Sequence, residues 1–545
     1  MVSVKHLKNN FSDDSLVSEV RYRNALLKAV EGANPLPSQL CDLFFCGGAV
    51  IEDAALNSRE QREVLLEVIS NFHKGSARRF FGGLYNILES VVESEAFVPQ
   101  SACDDDEDCV TPDAESTEAL YFMKASALIV QAYLGALVER RTKTDSKTHP
   151  IIDEVFSCAE TLHNTLFSLQ ACGEAGLIVQ SIIANLCEFW WMQYFVDREC
   201  LVIQLLPLLL AKSLAESSQP IDIKRLFQIR EGLAVLDWKD ESSRDMRTLL
   251  LRTVSSPHYL KHNEGKKLIA NLFTLDETLV GDLHKAIRVQ IPDAKKTVLQ
   301  IYGDIYFAAW KESDKTTEIR KAIEELALQD LMYAILHMAN PAMVRNLQIV
   351  LEKFHENKKF PEITSLIHRM YGPIIWRALN AANPRVRINS ALVLAETFPL
   401  QDGISGSDQA IQKGIRALNQ LLTDSDPRVR VAAAEATAQI LSTYWDVLPS
   451  MDIRTLLTHI VTKHASDKSS SVVRAGSLSA ITVLISKDQS HAVLRPLLPN
   501  LGNLIHDKVE RVRVAAVRML HAIKITPGIK YTHLRSEERR VGKEC

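Results

Sequence analysis

The sequence predicts an all-α chain of stacked helical hairpins, and three observations carry that prediction. The first is a recurring segment. Asp426-Pro427-Arg428-Val429-Arg430-Val431-Ala432-Ala433-Ala434 has a near copy in Asn383-Pro384-Arg385-Val386-Arg387. Ser471-Val472-Val473-Arg474-Ala475 and Glu510-Arg511-Val512-Arg513-Val514-Ala515-Ala516 follow, and Met343-Val344-Arg345 is a looser version ahead. The Val-Arg pair falls at valines 344, 386, 429, 473 and 512, at spacings of 42, 43, 44 and 39 residues. A period of about 40 to 47 residues marks HEAT or armadillo repeats. The second observation is the chemistry of each copy. Asp426 or Asn383 suits an N-cap, and the proline behind it takes the first helical position, where its missing N–H costs nothing. Val429, Ala433, Ala436 and Ile440 then lie three or four residues apart as one apolar stripe. Ala432, Ala433 and Ala434 let a neighbouring helix come close. One hairpin cannot bury that stripe alone, so hairpins stack into an α-solenoid of HEAT type. The third is composition: 21 glycines and 19 prolines in 545 residues are too few for the turn pairs that punctuate sheets.

In chain order, residues 1–95 read as an amino-terminal helical region. Leu16–Val30 and Arg59–Phe72 are amphipathic, and Phe80-Phe81-Gly82-Gly83 reads as a break. Residues 96–118 form an acidic loop around Asp104-Asp105-Asp106-Glu107-Asp108. Such a block repels itself, so disorder is expected, and it lacks the alternating ligands of a calcium loop. Thr111, ahead of Pro112, is a candidate proline-directed phosphosite. Helix is expected again over Glu118–Arg140, then a polar linker from Arg141 to His149. Ile151–Leu214 is long and apolar, with Phe189-Trp190-Trp191 and Tyr194-Phe195 as core aromatics. Residues 119–339 read as degenerate helical repeats, broken at Ser255-Ser256-Pro257, Pro292-Asp293 and Ser313-Asp314-Lys315, with Ile291–Trp310 as one repeat helix. Regular HEAT repeats occupy 340–530, jointed at Gly403–Asp408 and Ser466–Ser471. After Ile525 the pattern stops without a polar capping helix. Residues 535–545 match no repeat and read as a non-native, adaptor-derived tail, so the natural chain is expected to continue past residue 534.

The net charge of −4 hides an asymmetry: residues 1–339 hold 35 Lys and Arg against 49 Asp and Glu, whereas 340–530 hold 24 against 15. A basic repeat array points to a polyanionic partner, nucleic acid first; ordinary variation among solvated helix faces is the alternative. Nine cysteines include no Cys-x-x-Cys pair, and Cys41/Cys46 and Cys103/Cys109 lack partners at zinc spacing. Reduced thiols in a cytosolic or nuclear protein are expected. No apolar core of signal-peptide length follows Met1. The greasiest run, Leu201–Ala211, contains Gln204 and Pro207 and is too short to span a bilayer, so no membrane partner is expected. Gly265-Lys266-Lys267 lacks the upstream glycine and the hydroxyl of a phosphate loop, and neither Gly-x-Gly-x-x-Gly after a strand nor Gly-x-Ser-x-Gly occurs. His258 and His262 have no glutamate between them, and His459 and His464, five apart, are not expected to share a helix face. No catalytic residue, cofactor, metal or small-molecule substrate is assigned.

Gln300-Ile301-Tyr302-Gly303-Asp304-Ile305-Tyr306-Phe307-Ala308-Ala309-Trp310-Lys311 and Tyr371-Gly372-Pro373-Ile374-Ile375-Trp376-Arg377 resemble segments of the G-type HEAT-repeat subunits of condensin II. Asn383 through Pro399, Ser442-Thr443-Tyr444-Trp445 and Lys508 through Val514 continue in the same order, so the resemblance covers residues 200–530; residues 1–150 share little of it. It implies a non-enzymatic subunit of a ring made by two SMC ATPases and a kleisin. Such a subunit binds a kleisin segment and clasps double-stranded DNA in a basic groove, in the nucleus and on mitotic chromosomes. A bare HEAT motif also fits an adaptor for nuclear transport or a phosphatase that binds only protein. The second helix of each repeat is expected to line the inner curve. That makes Arg385, Arg428, Lys508 and Arg511 DNA-binding candidates, holding phosphates without reading sequence. Arg345, Arg387, Arg430, Arg474 and Arg513 are expected to be structural, bonded to loop acids, with Asp426 an evident partner. Kleisin binding calls for an apolar groove between helices, to which the sequence assigns no residues.

Overall fold

The computed structural model describes residues 67–69, 71–94, 114–144, 151–315, 317–402 and 407–527, with isolated positions 24, 26, 27, 97 and 529. Helices and turns make up these residues, with no strand among them. Leu16–Val30, most of Arg59–Phe72, the acidic block, Thr111 and residues 535–545 lie largely or wholly outside the described residues. The chain divides into two compact units, 1–268 and 269–545.

In unit 1 the main helices are α1 (Lys74–Glu93), α2 (Ala114–Thr144), α3 (Asp153–Asn164), α4 (Gly173–Met192), α5 (Leu205–Leu214), α6 (Pro220–Gln228) and α7 (Arg244–Thr253). Helix α1 packs on α3, and α2 on α4. The expected break at Phe80-Phe81-Gly82-Gly83 does not form; α1 runs through it. Phe80 and Phe81 are fully buried, and the Phe81 ring stands 4.9 Å from that of Tyr133 on α2. Burying two aromatic side chains outweighs about 1 kcal/mol for each mid-helix glycine. Helix α2 starts at Ala114 rather than Glu118.

By length and composition Ser116–Arg140 and Ser168–Met192 could each cross a membrane, and both are longer than the Leu201–Ala211 run. They bury 56% and 50% of their most apolar stretches, and α2 lies along α4 as core. Trp190, Trp191 and Phe195 are buried as expected, but Tyr194 is 68% exposed. Its left-handed backbone (φ 56°) turns the ring outward, where it and Trp191 flank the Arg198 guanidinium at 4.4 and 4.3 Å.

Unit 2 is a series of stacked hairpins. The first pairs α8 (Glu277–Gln290) with α9 (Lys296–Glu312). The second pairs an arm from Glu318 through α10 (Gln329–His337) with α11 (Pro341–Glu356). Then come α12 (Pro361–Ala378) with α13 (Pro384–Thr397) and α14 (Ser407–Leu422) with α15 (Pro427–Tyr444). Helix α16 (Ser450–Thr458), prolonged by a π turn over His459–His464, pairs with α17 (Ser471–Ile485). A 3₁₀ stretch, Leu498–His506, pairs with α18 (Glu510–Ile525). Ile291 does not open α9 as expected; its N–H bonds Ile287 O and so closes α8.

Local chemistry sets the helix starts. Asn340, Asn383 and Asp426 accept the N–H two residues on, at 2.9, 2.9 and 2.8 Å, and a proline holds the first helical position each time. The second helices then stack directly: α9 on α11, and α13, α15, α17 and α18 in turn. Val429, Ala433, Ala436 and Ile440 are at most 2% exposed. Small residues set the spacing, since a Cβ on Gly303 would stand 2.5 Å from the Val350 carbonyl oxygen.

Candidate nucleic-acid interface

The repeat arginines form a ladder. Arg387 on α13 donates Nε and Nη2 to Asp424 at 2.7 and 2.8 Å, and Nη1 to the Ala381 and Ala382 carbonyls. Arg430 on α15 donates to Asp467 at 2.8 Å and to the Asp424 and Ser425 carbonyls. Arg474 on α17 donates to Asp507 at 2.7 and 3.0 Å and to the Asp467 carbonyl. Each guanidinium therefore holds its own turn and the turn of the next hairpin together. The paired side chains are at most 17% exposed. Hydrogen bonds from Arg474 hold the Asp507 carboxyl below its usual range. At Asp467 burial pushes upward, and bonds from Ser469 and Arg430 outweigh it.

Asp426 is not a rung of this ladder, contrary to expectation. Its carboxylate already caps α15 and holds Arg428, at 3.1 Å from Nε and 2.8 Å from Nη2. The Arg428 bonds pull the Asp426 carboxyl down to about 2. The rungs are Asp424, Asp467 and Asp507, a step earlier in each turn. Their spacings of 43 and 40 residues match the repeat period and were the signal available in the sequence. Arg345 also departs from the expected set: it is exposed and makes no ladder bond among the described residues. From cap to valine is four residues at Asn340–Val344 but three at Asn383–Val386, which shifts Arg345 round the helix. Arg513 is exposed and bonds the Asp507 and Lys508 carbonyls at 3.0 and 3.2 Å, keeping only the half of the pattern that involves its own turn.

The flanking cations take a different place. Arg385, Arg428 and Arg511 are each the second residue of their helix, in α13, α15 and α18, and Val472 holds that position in α17. Lys508 lies in the turn before α18. Because these helices stack, the four cations sit along one edge, at the amino-terminal ends. Arg428, Lys508 and Arg511 are exposed and Arg385 is half-buried. Arg428 is tied to Asp426, whereas Arg385, Lys508 and Arg511 have no acidic side-chain partner among the described residues. Cations at the positive end of a helix dipole add to its field, so this edge favours an anion. Long flexible side chains of this kind suit phosphates, not base edges.

Two other clusters lack that character. A cavity of about 570 Å³ along α11 is lined by Lys296, Arg345, Lys358, Glu352 and Glu396, charges of both signs. His459 and His464 do meet, contrary to expectation: the π turn brings their rings to 5.1 Å, edge to face. His464 Nε2 is bound to the Leu422 carbonyl, and no third His, Cys, Asp or Glu completes a metal-ligand group among the described residues.

Residues 252–402 match the family model for the condensin II non structural maintenance of chromosomes subunit, and 415–444 match the HEAT repeat. The chain is 33% identical over 353 residues to condensin-2 complex subunit G2 of Xenopus laevis, covering 64% of this chain and 30% of that one. Identity to the Homo sapiens protein of that name is 32% over 384 residues, 70% of this chain and 33% of that one. Identity to the Danio rerio protein is 28% over 486 residues, 88% and 41%. The chain thus spans well under half the length of these curated relatives.

Proposed function

The chain belongs to the condensin II non-SMC subunit family, and on that premise we propose that it is a non-catalytic HEAT scaffold binding a kleisin and double-stranded DNA for mitotic chromosome condensation. Its partners in this reading are the kleisin and SMC subunits and chromatin, its place is the nucleus and the chromosome, and ATP hydrolysis belongs to the SMC proteins. One observation carries the DNA part: ladder arginines are neutralised by aspartates, while Arg385, Lys508 and Arg511 along the same stack have no acidic partner among the described residues. Duplex DNA bound there would be held by phosphate contacts and would be sensitive to salt.

Reversal of Arg385, Arg428, Lys508 and Arg511 to glutamate tests it by fluorescence anisotropy with duplex DNA and the kleisin present. Loss of four phosphate contacts should flatten the log–log salt dependence by about 3 to 4. Unchanged binding sinks the assignment of this edge. The runner-up, an adaptor for nuclear transport or a phosphatase that binds only protein, predicts that the unaltered chain binds no duplex DNA and recovers no SMC protein from nuclear extract.

A further inference from the structure

The hairpins between Glu277 and Thr397 are fastened by histidine rather than arginine. His284 on α8 lies between the Tyr306 hydroxyl of α9, 2.8 Å from Nδ1, and the Asp330 carboxylate of α10, 3.2 Å from Nε2. His355 on α11 repeats the arrangement with Tyr371 of α12, 3.1 Å from Nε2, and Glu396 of α13, 2.8 Å from Nδ1. Each knot ties three helices from two neighbouring hairpins. Both tyrosines are fully buried and both histidines are 6% exposed.

The partners dictate the proton positions. A carboxylate only accepts, so the ring nitrogen facing it carries hydrogen, and the other nitrogen accepts the tyrosine O–H. His284 is therefore the Nε2–H tautomer and His355 the Nδ1–H tautomer. A second proton on His284 would turn Nδ1 into a donor. The Tyr306 oxygen would then have to accept, and its own hydrogen, buried, would lose its acceptor. Leaving a buried donor unsatisfied costs about 1 to 3 kcal/mol.

The surroundings reinforce this. Burial holds His284 below the ordinary histidine range, the Asp330 carboxylate pulls the other way, and the Arg288 guanidinium opposes a second cation. Arg288 already occupies Asp330 at 3.0 Å. On the Glu318–Leu328 segment packed against α8, Arg320 and Glu324 are paired with each other at 3.2 Å. On α8 itself Lys285 pairs with Asp282.

We propose that the Tyr306–His284–Asp330 knot is a proton-operated release between the first two hairpins of unit 2, opening below neutral pH while the arginine ladder stays closed. The ladder does not respond in that range, because guanidinium keeps its charge and Asp507 and Asp467 are held low. Mild acid therefore loosens residues 277–337 and spares α15, whose residues 427–444 hold no histidine and are fastened through Arg430.

Amide hydrogen exchange on the whole chain at about pH 7.5 and about pH 5.5, corrected for intrinsic rates, reads this directly. Segments within 277–337 should lose several-fold in protection relative to 427–444. His284→Gln, whose amide can donate to Asp330 and accept from Tyr306 but does not titrate, should abolish that loss. Equal loss in both regions, no loss, or a wild-type response in H284Q overturns the proposal. If H284Q does not fold, Tyr306→Phe takes its place. Without the stranded hydroxyl hydrogen the acid-induced loss should shrink, and an undiminished loss again overturns it.

Discussion

Arg430 reaches 37 residues forward, from α15 to the turn ahead of α17, to place Nη2 2.8 Å from Asp467 Oδ2, with both side chains 13% exposed. A pair this buried is weak evidence of net stabilisation but is expensive to break, because one charge is left without its partner. Asp467→Asn should cost about 3 kcal/mol, read as a lower urea midpoint. Arg428→Ala, which removes an exposed cation from a cap that persists, should leave the midpoint where it is. Equal effects from the two changes would dismiss the ladder as the fastener between hairpins.

The capping carboxylate Asp426 predicts the acid limit of this part of the stack. Its folded value of about 2 lies below the unfolded one of about 3.9. Its contribution is therefore complete above about pH 4 and is lost as pH falls toward 2. Asp426→Ala should lower stability at neutral pH by about 1 kcal/mol for the lost cap. It should also flatten the pH dependence between about 4 and 2, and an unflattened profile contradicts the assignment.

Lys358 predicts a slope of the same sign in base. Its ammonium donates to the Glu396 and Phe398 carbonyls and lies 5.4 Å from the Tyr444 ring. Burial lowers it to about 8, against the pull of the Glu396 carboxylate. The unfolded value is about 10.5, so the unfolded chain holds more protons between 8 and 10.5 and stability rises with pH there. Lys358→Met should remove that rise. Superimposable wild-type and variant curves from pH 8 to 10 would refute it.

Two glycines in neighbouring helices should respond with opposite signs. A methyl on Gly303 of α9 would sit 2.5 Å from the Val350 carbonyl oxygen of α11, and backbone yields little. Gly303→Ala should destabilise by about 1 to 3 kcal/mol through overpacking. Gly281 on α8 has nothing within 4 Å of the corresponding point. Gly281→Ala should stabilise by about 0.5 to 1 kcal/mol through lower chain entropy. Melting temperatures that move together would show that the α9–α11 approach is not the constraint.

Much of unit 2 was legible because its signals are local. Caps at Asn383 and Asp426, prolines behind them and the Val429–Ile440 stripe each need only a few neighbouring residues, and the structure has all of them. The basic edge was legible as a register position, the second residue of successive helices. Local reasoning failed where distant side chains decide. Phe80–Gly83 looks like a break until Tyr133 covers it, and His459 and His464 look separated until the backbone takes a π turn.

By itself the sequence determined an all-α class, the repeat period and most helix starts in unit 2, since these follow from spacing and residue type along the chain. Only the tertiary structure decided which acid answers Arg387, Arg430 and Arg474, which cations have none among the described residues, and that His284 is locked between Tyr306 and Asp330. Those partners lie 22 to 46 residues apart, and an ion pair or hydrogen bond depends on a few ångströms of separation that helix stacking alone sets.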